Sequence, residues 1–168
     1  MNPMGRMIKV ILVLIFSASG LLAQQKSLPS FEDYPVKENF RGKSAPVKLT
    51  SRRARTFRTM LRENAGKEVN FAGHYIAATW GCGSSCWSFA IIDARTGQVY
   101  FIPSLLNVGG FGYSEEDLIQ FHKDSRLLIV VGVPNDEGYV GRYYYVWKNN
   151  RLKLIRALED REWRPPGN

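Results

Sequence analysis

Two cysteines and two histidines are all that the 168 residues offer to thiol or imidazole chemistry. That count excludes a zinc site of four thiolates and a mini-protein built on disulfides. Long apolar runs are missing as well. The longest, residues 10–16 (VILVLIF), falls well short of the roughly 20 residues that a membrane-crossing helix needs. No Gly-x-Ser-x-Gly elbow marks Ser84, Ser85 or Ser88 as a nucleophile. Gly109-Gly110-Phe111-Gly112 lacks both the Lys-Ser/Thr ending of a phosphate loop and the strand-to-helix frame of a dinucleotide site. No catalytic constellation, cofactor or metal site is assigned, and no periodic self-similarity suggests a repeat protein.

What is present is a globular composition, with 45% hydrophobic and 12% aromatic residues, too apolar for a disordered chain. Its first two dozen residues form an address. Arg6 and Lys9 precede the apolar run, and small residues follow up to Ala23. This is the pattern of a secretory signal peptide over residues 1–23, cleaved after Ala23. No cysteine follows the run, so no lipid anchor is expected there. The processed chain then has 145 residues with no transmembrane anchor, and its expected location is periplasmic or secreted. A chain of about that length buries roughly 68–70% of its unfolded surface, enough for one domain.

Charge is unevenly spread. The full chain carries +8; without residues 1–23 it keeps 21 basic and 15 acidic side chains, a net of +6. Residues 37–67 alone hold ten cations against Glu38 and Glu63, leaving the remainder at −2. The basicity belongs to one segment.

Residues 24–50, rich in Pro, Ser and Lys, suggest an extended N-terminal arm lying across the domain. Thr50 or Ser51 can cap a helix over residues 51–65 that stops at Gly66. Ala54, Phe57, Leu61 and Ala65 share one apolar stripe on it, and Arg52, Arg55, Arg58 and Arg62 fall on a neighbouring arc. From residue 69 the period changes to two. The spacing predicts a strand over 69–79, with Asn70, Ala72, His74, Ile76 and Ala78 on one face. Hairpins follow over 87–93 with 98–102, 118–122 with 126–132, and 142–147 with 151–158. Gly97 and the pair Asn149-Asn150 supply the turn conformations. Residues 107–112 and 134–138 are expected loops, and 161–168 a frayed tail. The fold class is therefore α+β, mainly β: an antiparallel meander of about seven strands in a single β-rich domain over 51–160, with one N-terminal helix packed on the sheet.

Cys82 and Cys86 flank the turn Gly83-Ser84-Ser85, and in an oxidising compartment the simplest expectation is a disulfide pinching that turn. Two sharper readings stand beside it. A thiol-exchange site needs a low thiolate pKa, most often in Cys-x-x-Cys. A copper(I) site would join the thiolates to His74 or His122. The acids Glu115-Glu116-Asp117 are either a solvated cap or the internal partner of the arginine stripe. That stripe is a solvated helix face or a site for the acidic groups of a partner. Tyr143, Tyr144, Tyr145 and Trp147 place aromatics on both faces of one strand, and one of those faces belongs in the core.

Several motifs stand in order: Phe31-Glu32-Asp33-Tyr34-Pro35-Val36, Asn70-Phe71-Ala72-Gly73-His74-Tyr75, Trp80-Gly81-Cys82-Gly83-x-x-Cys86, and Ile92-Asp93-Ala94-x-Thr96-Gly97-x-Val99-Tyr100. With Tyr143 to Trp147, this arrangement resembles a family of small exported bacterial proteins of unknown function, over nearly the whole processed chain. The resemblance implies an envelope or secreted location and transfers no catalytic residues.

The leading expectation is an exported, non-enzymatic binding protein, such as an inhibitor, whose partner is an envelope protein or an acidic polymer and not nucleic acid. His74, Tyr75, Trp80 and the four stripe arginines are the candidate binding residues. The alternative is a thiol-redox, copper-handling or hydrolytic protein centred on His74, Cys82 and Cys86.

Overall fold

A computed structural model of the chain describes residues 27–110 and 114–161. The expected signal peptide and nearly all of the expected tail lie outside them. The fold is β-rich α+β, with eight strands among the described residues against an expectation of about seven, in the order β1-β2-β4-β6-β7-β8; β3 pairs with β2 and β5 with β6. Every pairing is antiparallel.

The first strand, β1, spans Tyr75–Gly83, not 69–79. Residues 69–74 alternate like a strand, yet Ala72 (φ 44°) and Gly73 (φ 82°) turn the chain back. Phe71 and Tyr75 exchange backbone hydrogen bonds across that turn, at 3.0 and 2.9 Å. The Asn70 side chain then imitates a neighbouring strand, accepting from the Ala77 amide (2.8 Å) and donating to the Ala77 carbonyl (3.4 Å). His74 consequently ends a turn instead of sharing a face with Ile76 and Ala78.

Strand β2 (Cys86–Asp93) folds back on β1, and β3 is only Val99–Tyr100. Residues 107–109, expected in a loop, form β4 (Asn107–Gly109), which pairs with β2 on one side and β6 on the other. A short helix, α3 (Glu115–Leu118), precedes β5 (Ile119–Phe121) and β6 (Leu127–Pro134). β7 (Gly141–Lys148) and β8 (Arg151–Glu159) close the chain across Asn149 and Asn150, both at positive φ.

The sheet folds over on itself. Tyr75 of β1 and Trp147 of β7, with three strands between them in the order, meet edge to face at 5.3 Å. One core lies between the halves, with Phe89, Ile91, Leu128, Val130, Tyr143 and Tyr145 facing inward. The alternate residues face outward and are covered in two different ways. Ile76, Ala78, Trp80, Ala90 and Ile92 lie beneath the helices α1 (Arg52–Thr56) and α2 (Arg58–Ala65). Leu127, Ile129, Tyr144 and Val146 lie beneath Phe31 and Tyr34 of the arm. Both aromatic faces of β7 are therefore buried in packing, Tyr144 at 2% exposure, and neither is a free surface.

The helical segment starts at Ser51, whose hydroxyl accepts from the Ala54 amide (3.0 Å), and breaks at Phe57 (φ −96°, ψ 23°). The Phe57 ring packs 5.1 Å from Trp80, and the Arg53 guanidinium sits over both Phe57 and Phe101. The break lets Phe57 turn inward while Leu61 stays fully buried one turn later.

The arm is sutured to the turns at one end of the folded sheet. Tyr34 accepts from the Arg126 amide (2.8 Å), Val36 donates to Asp124 (3.0 Å), Phe40 donates to Gly73 (2.7 Å), and Lys48 donates to Gly97 (2.8 Å), all through backbone atoms. The approach is close. A Cβ on Gly73 would lie 2.5 Å from the Glu38 carbonyl oxygen, and one on Gly97 1.9 Å from that of Pro46. With both residues at positive φ, glycine is required at each for two reasons.

Candidate functional site

Cys82 and Cys86 form a disulfide with Cα atoms 5.1 Å apart, bridging the β1–β2 turn. His74 lies at the opposite end of β1. Eight residues at about 3.3 Å each separate it from Cys82 by roughly 26 Å. The triad His74, Cys82 and Cys86 is not brought together. His122, the other imidazole, stacks on Phe31 at 3.8 Å. Among the described residues no three His, Cys, Asp or Glu side chains gather as a metal site.

Trp80 is a core residue, 6% exposed beneath Phe57. Arg52, Arg55, Arg58 and Arg62 remain on the exposed side of the helices. Arg55 spends its guanidinium on the Leu49 and Thr50 carbonyls (3.3 and 3.0 Å), and Arg58 on the Arg55 carbonyl (3.4 Å). No carboxylate pairs with the stripe among the described residues. Glu115 instead turns to Thr79, accepting a hydrogen bond from its hydroxyl.

His74 and Tyr75 do share a site, one that also contains residues the sequence did not mark. The turns at residues 72–73, 94–97, 123–125 and 149–150 converge on an open groove of about 860 Å³, walled on one side by arm residues Pro35 to Glu38. Its floor is aromatic. The His74 ring lies 4.0 Å from Tyr75, and the Tyr75 hydroxyl donates to Asn150 Oδ1 (2.8 Å). Trp147 lines the same groove at 3% exposure, and its indole N–H is buried without a hydrogen-bond partner. That N–H lies near enough to the Tyr75 hydroxyl to favour the phenolate slightly, but outside hydrogen-bond geometry. A buried donor in this condition is costly and favours an acceptor that can reach it.

The rim is cationic. Lys37, Arg95, Arg126 and Lys148 line it, against Glu38 as the single carboxylate. Arg126 donates from Nε to the Pro35 carbonyl (3.3 Å), and the Arg95 guanidinium stands 5.9 Å over the Phe40 ring. None is held in an ion pair among the described residues, so their field projects into the groove. Burial, then the Arg95 charge, holds the His74 imidazole below its ordinary 6.5, with Asp93 opposing weakly. Burial likewise raises the Tyr75 phenol above 10. At neutral pH both groups are uncharged hydrogen-bonding surface inside a positive rim.

Sequence reasoning missed Lys37, Arg95, Arg126, Trp147, Lys148 and Asn150 as members of one site. A signal was available: each hairpin turn at this end carries or adjoins a cation, namely Arg95, Lys123 with Arg126, and Lys148. Only the closing of the sheet brings them together.

In comparisons with known proteins, the chain matches no family model, no curated protein and no solved structure.

Proposed function

We propose that the protein is an exported, non-enzymatic binding protein that takes a carboxylate-bearing partner into the groove between the arm and the sheet turns. One observation carries the reading: four cations, none held in an ion pair among the described residues, line one groove against a single carboxylate. A carboxylate there neutralises the rim. Charge-assisted contacts of this kind are roughly twice as strong as neutral ones. The partner is an acidic envelope polymer or an acidic surface on an envelope protein. Export is supported by residues 1–23 and by the disulfide, which persists in an oxidising compartment. In addition, no helix among the described residues is long and apolar enough to cross a membrane. The distance of roughly 26 Å between His74 and Cys82 weighs against a copper site that joins them.

The test is retention of the processed protein on a carboxylated matrix, eluted with salt. An Arg95→Gln/Lys148→Gln double variant should elute at lower salt, while Arg55→Gln/Arg62→Gln on the helix stripe should elute unchanged. The reverse order would move the site to the helix. N-terminal sequencing of the exported protein should begin at Gln24; an uncleaved Met1 would count against processing after Ala23.

A further inference from the structure

We infer that the ligand is a linear acidic polysaccharide lying across two adjoining grooves, not a small anion held in one. The inference rests on the proposed role of the first groove and adds to it the length and chemistry of the partner. A second groove of about 450 Å³ is lined by Arg41, Lys43, Ser44, Lys67, Glu68 and Lys123. It repeats the imbalance of the first, four cations against one carboxylate.

The same arm borders both. Arm residues Lys37 and Glu38 wall the first groove, and residues 40–44 wall the second. The divide between them is held by backbone hydrogen bonds. Phe40 donates its amide to Gly73 (2.7 Å), Gly73 donates to Lys123 (2.7 Å), and the Phe40 ring supports the Arg95 guanidinium at the border. Lys123 and Arg126 flank a single turn, one facing each groove. The nearby Asp124 carboxylate is occupied by the Asn39 amide. Eight cations thus line the two grooves against Glu38 and Glu68. A small anion engages half of them at most, whereas a chain of regularly spaced carboxylates engages both sets and gains by their linkage.

The surface chemistry selects a glycan over a nucleic acid. Single-stranded nucleic acid needs exposed aromatic planes on which bases stack. Here Tyr75 and Trp147 are 8% and 3% exposed and offer no such plane. The exposed polar groups along the path are the Asn149 and Asn150 amides, the half-exposed His74 ring and the Ser44 hydroxyl. These pair with sugar hydroxyls.

The test measures binding of a galacturonic-acid trimer and of a long oligogalacturonate to the processed protein at physiological salt. The long chain should bind more tightly. Arg41→Gln/Lys43→Gln in the second groove should weaken the long chain by about tenfold, the sum of two exposed charge pairs, and leave the trimer unchanged. Arg95→Gln/Lys148→Gln should weaken both. Equal affinity for both lengths, or a long chain indifferent to Arg41 and Lys43, overturns the two-groove path while the first groove stands. Loss of neither ligand in the Arg95/Lys148 variant overturns the first groove and the inference with it. Tighter binding of a length-matched polyphosphate or single-stranded DNA overturns the glycan assignment. Unchanged thermal melting of both variants ties the losses to the grooves.

Discussion

Replacing Ser125 by alanine should release the arm, and with it one wall of the groove. Ser125 is 1% exposed. Its hydroxyl donates to the carbonyls of Phe31 (2.7 Å) and Tyr34 (3.3 Å) and accepts from the Leu127 amide (3.1 Å). Losing the donated bond costs about 1 kcal/mol, and leaving the buried Leu127 amide without its acceptor costs about 1–3 kcal/mol more. The expected destabilisation is about 2–4 kcal/mol, large beside the 5–15 kcal/mol typical of a whole domain. The loss should be local as well as global. Phe31 and Tyr34 cover Leu127, Ile129, Tyr144 and Val146, and the segment continues directly into the wall formed by Pro35 to Glu38. Urea unfolding gives the energy. Hydrogen exchange at Arg126, whose amide donates to Tyr34, reports whether the arm has lifted. A loss below about 0.5 kcal/mol, within the range of an ordinary surface substitution, with Arg126 still protected, would refute the reasoning.

Three further outcomes follow from the same contacts. Removing the disulfide with Cys82→Ser/Cys86→Ser should cost about 2 kcal/mol by loop-closure entropy for so short a loop, and leave ligand affinity unchanged; lost affinity would tie the disulfide to the site. His74 should titrate below 6.5 by NMR, with Arg95→Gln raising its midpoint and bound oligogalacturonate raising it further. Because the folded-state value is depressed, stability declines as pH falls below 6.5 and the unfolded chain takes up the proton first; a midpoint indifferent to Arg95 would contradict the placement. Tyr145, pushed up to about 12 by burial and then by Tyr143, contributes stability below pH 10 that is lost as pH rises toward 12. Tyr145→Phe should therefore flatten the alkaline loss of stability, and an unchanged alkaline profile would place that loss elsewhere.

Much of the architecture is legible in the residues because it depends on neighbours in sequence. Alternation of Ile76, Ala78 and Trp80 against Tyr75 and Ala77 sets two faces, and Gly97 and Asn149-Asn150 take the positive φ their turns demand. The disulfide follows from two cysteines four positions apart. Where the reading goes astray, the cause is also physical. Asn70-Phe71-Ala72-Gly73 alternates like a strand, yet its Ala-Gly pair turns with positive φ, and an asparagine side chain supplies the strand-like hydrogen bonds. β4 is three residues long and owes its existence to a ladder on each side, too short for any period to register. Trp80 looks like a binding aromatic beside a glycine-rich turn, but the helix break at Phe57 covers it. The groove is least legible of all, since Lys37, Arg95, Arg126 and Lys148 come from the arm and three separate turns. Their convergence depends on the sheet folding until β7 meets β1, a long-range event with no local signature.

The central claim is that a carboxylate enters the groove that Trp147 lines. The indole N–H region of a nitrogen-15 NMR spectrum tests it directly, because Trp80 supplies an internal control. Its Nε1 is also buried without a partner, but it lies under the helices. Titration with oligogalacturonate should shift the Trp147 indole signal, because the bound charge lies beside that ring, and leave that of Trp80 in place. A Trp147 signal that stays fixed at saturation would contradict the account.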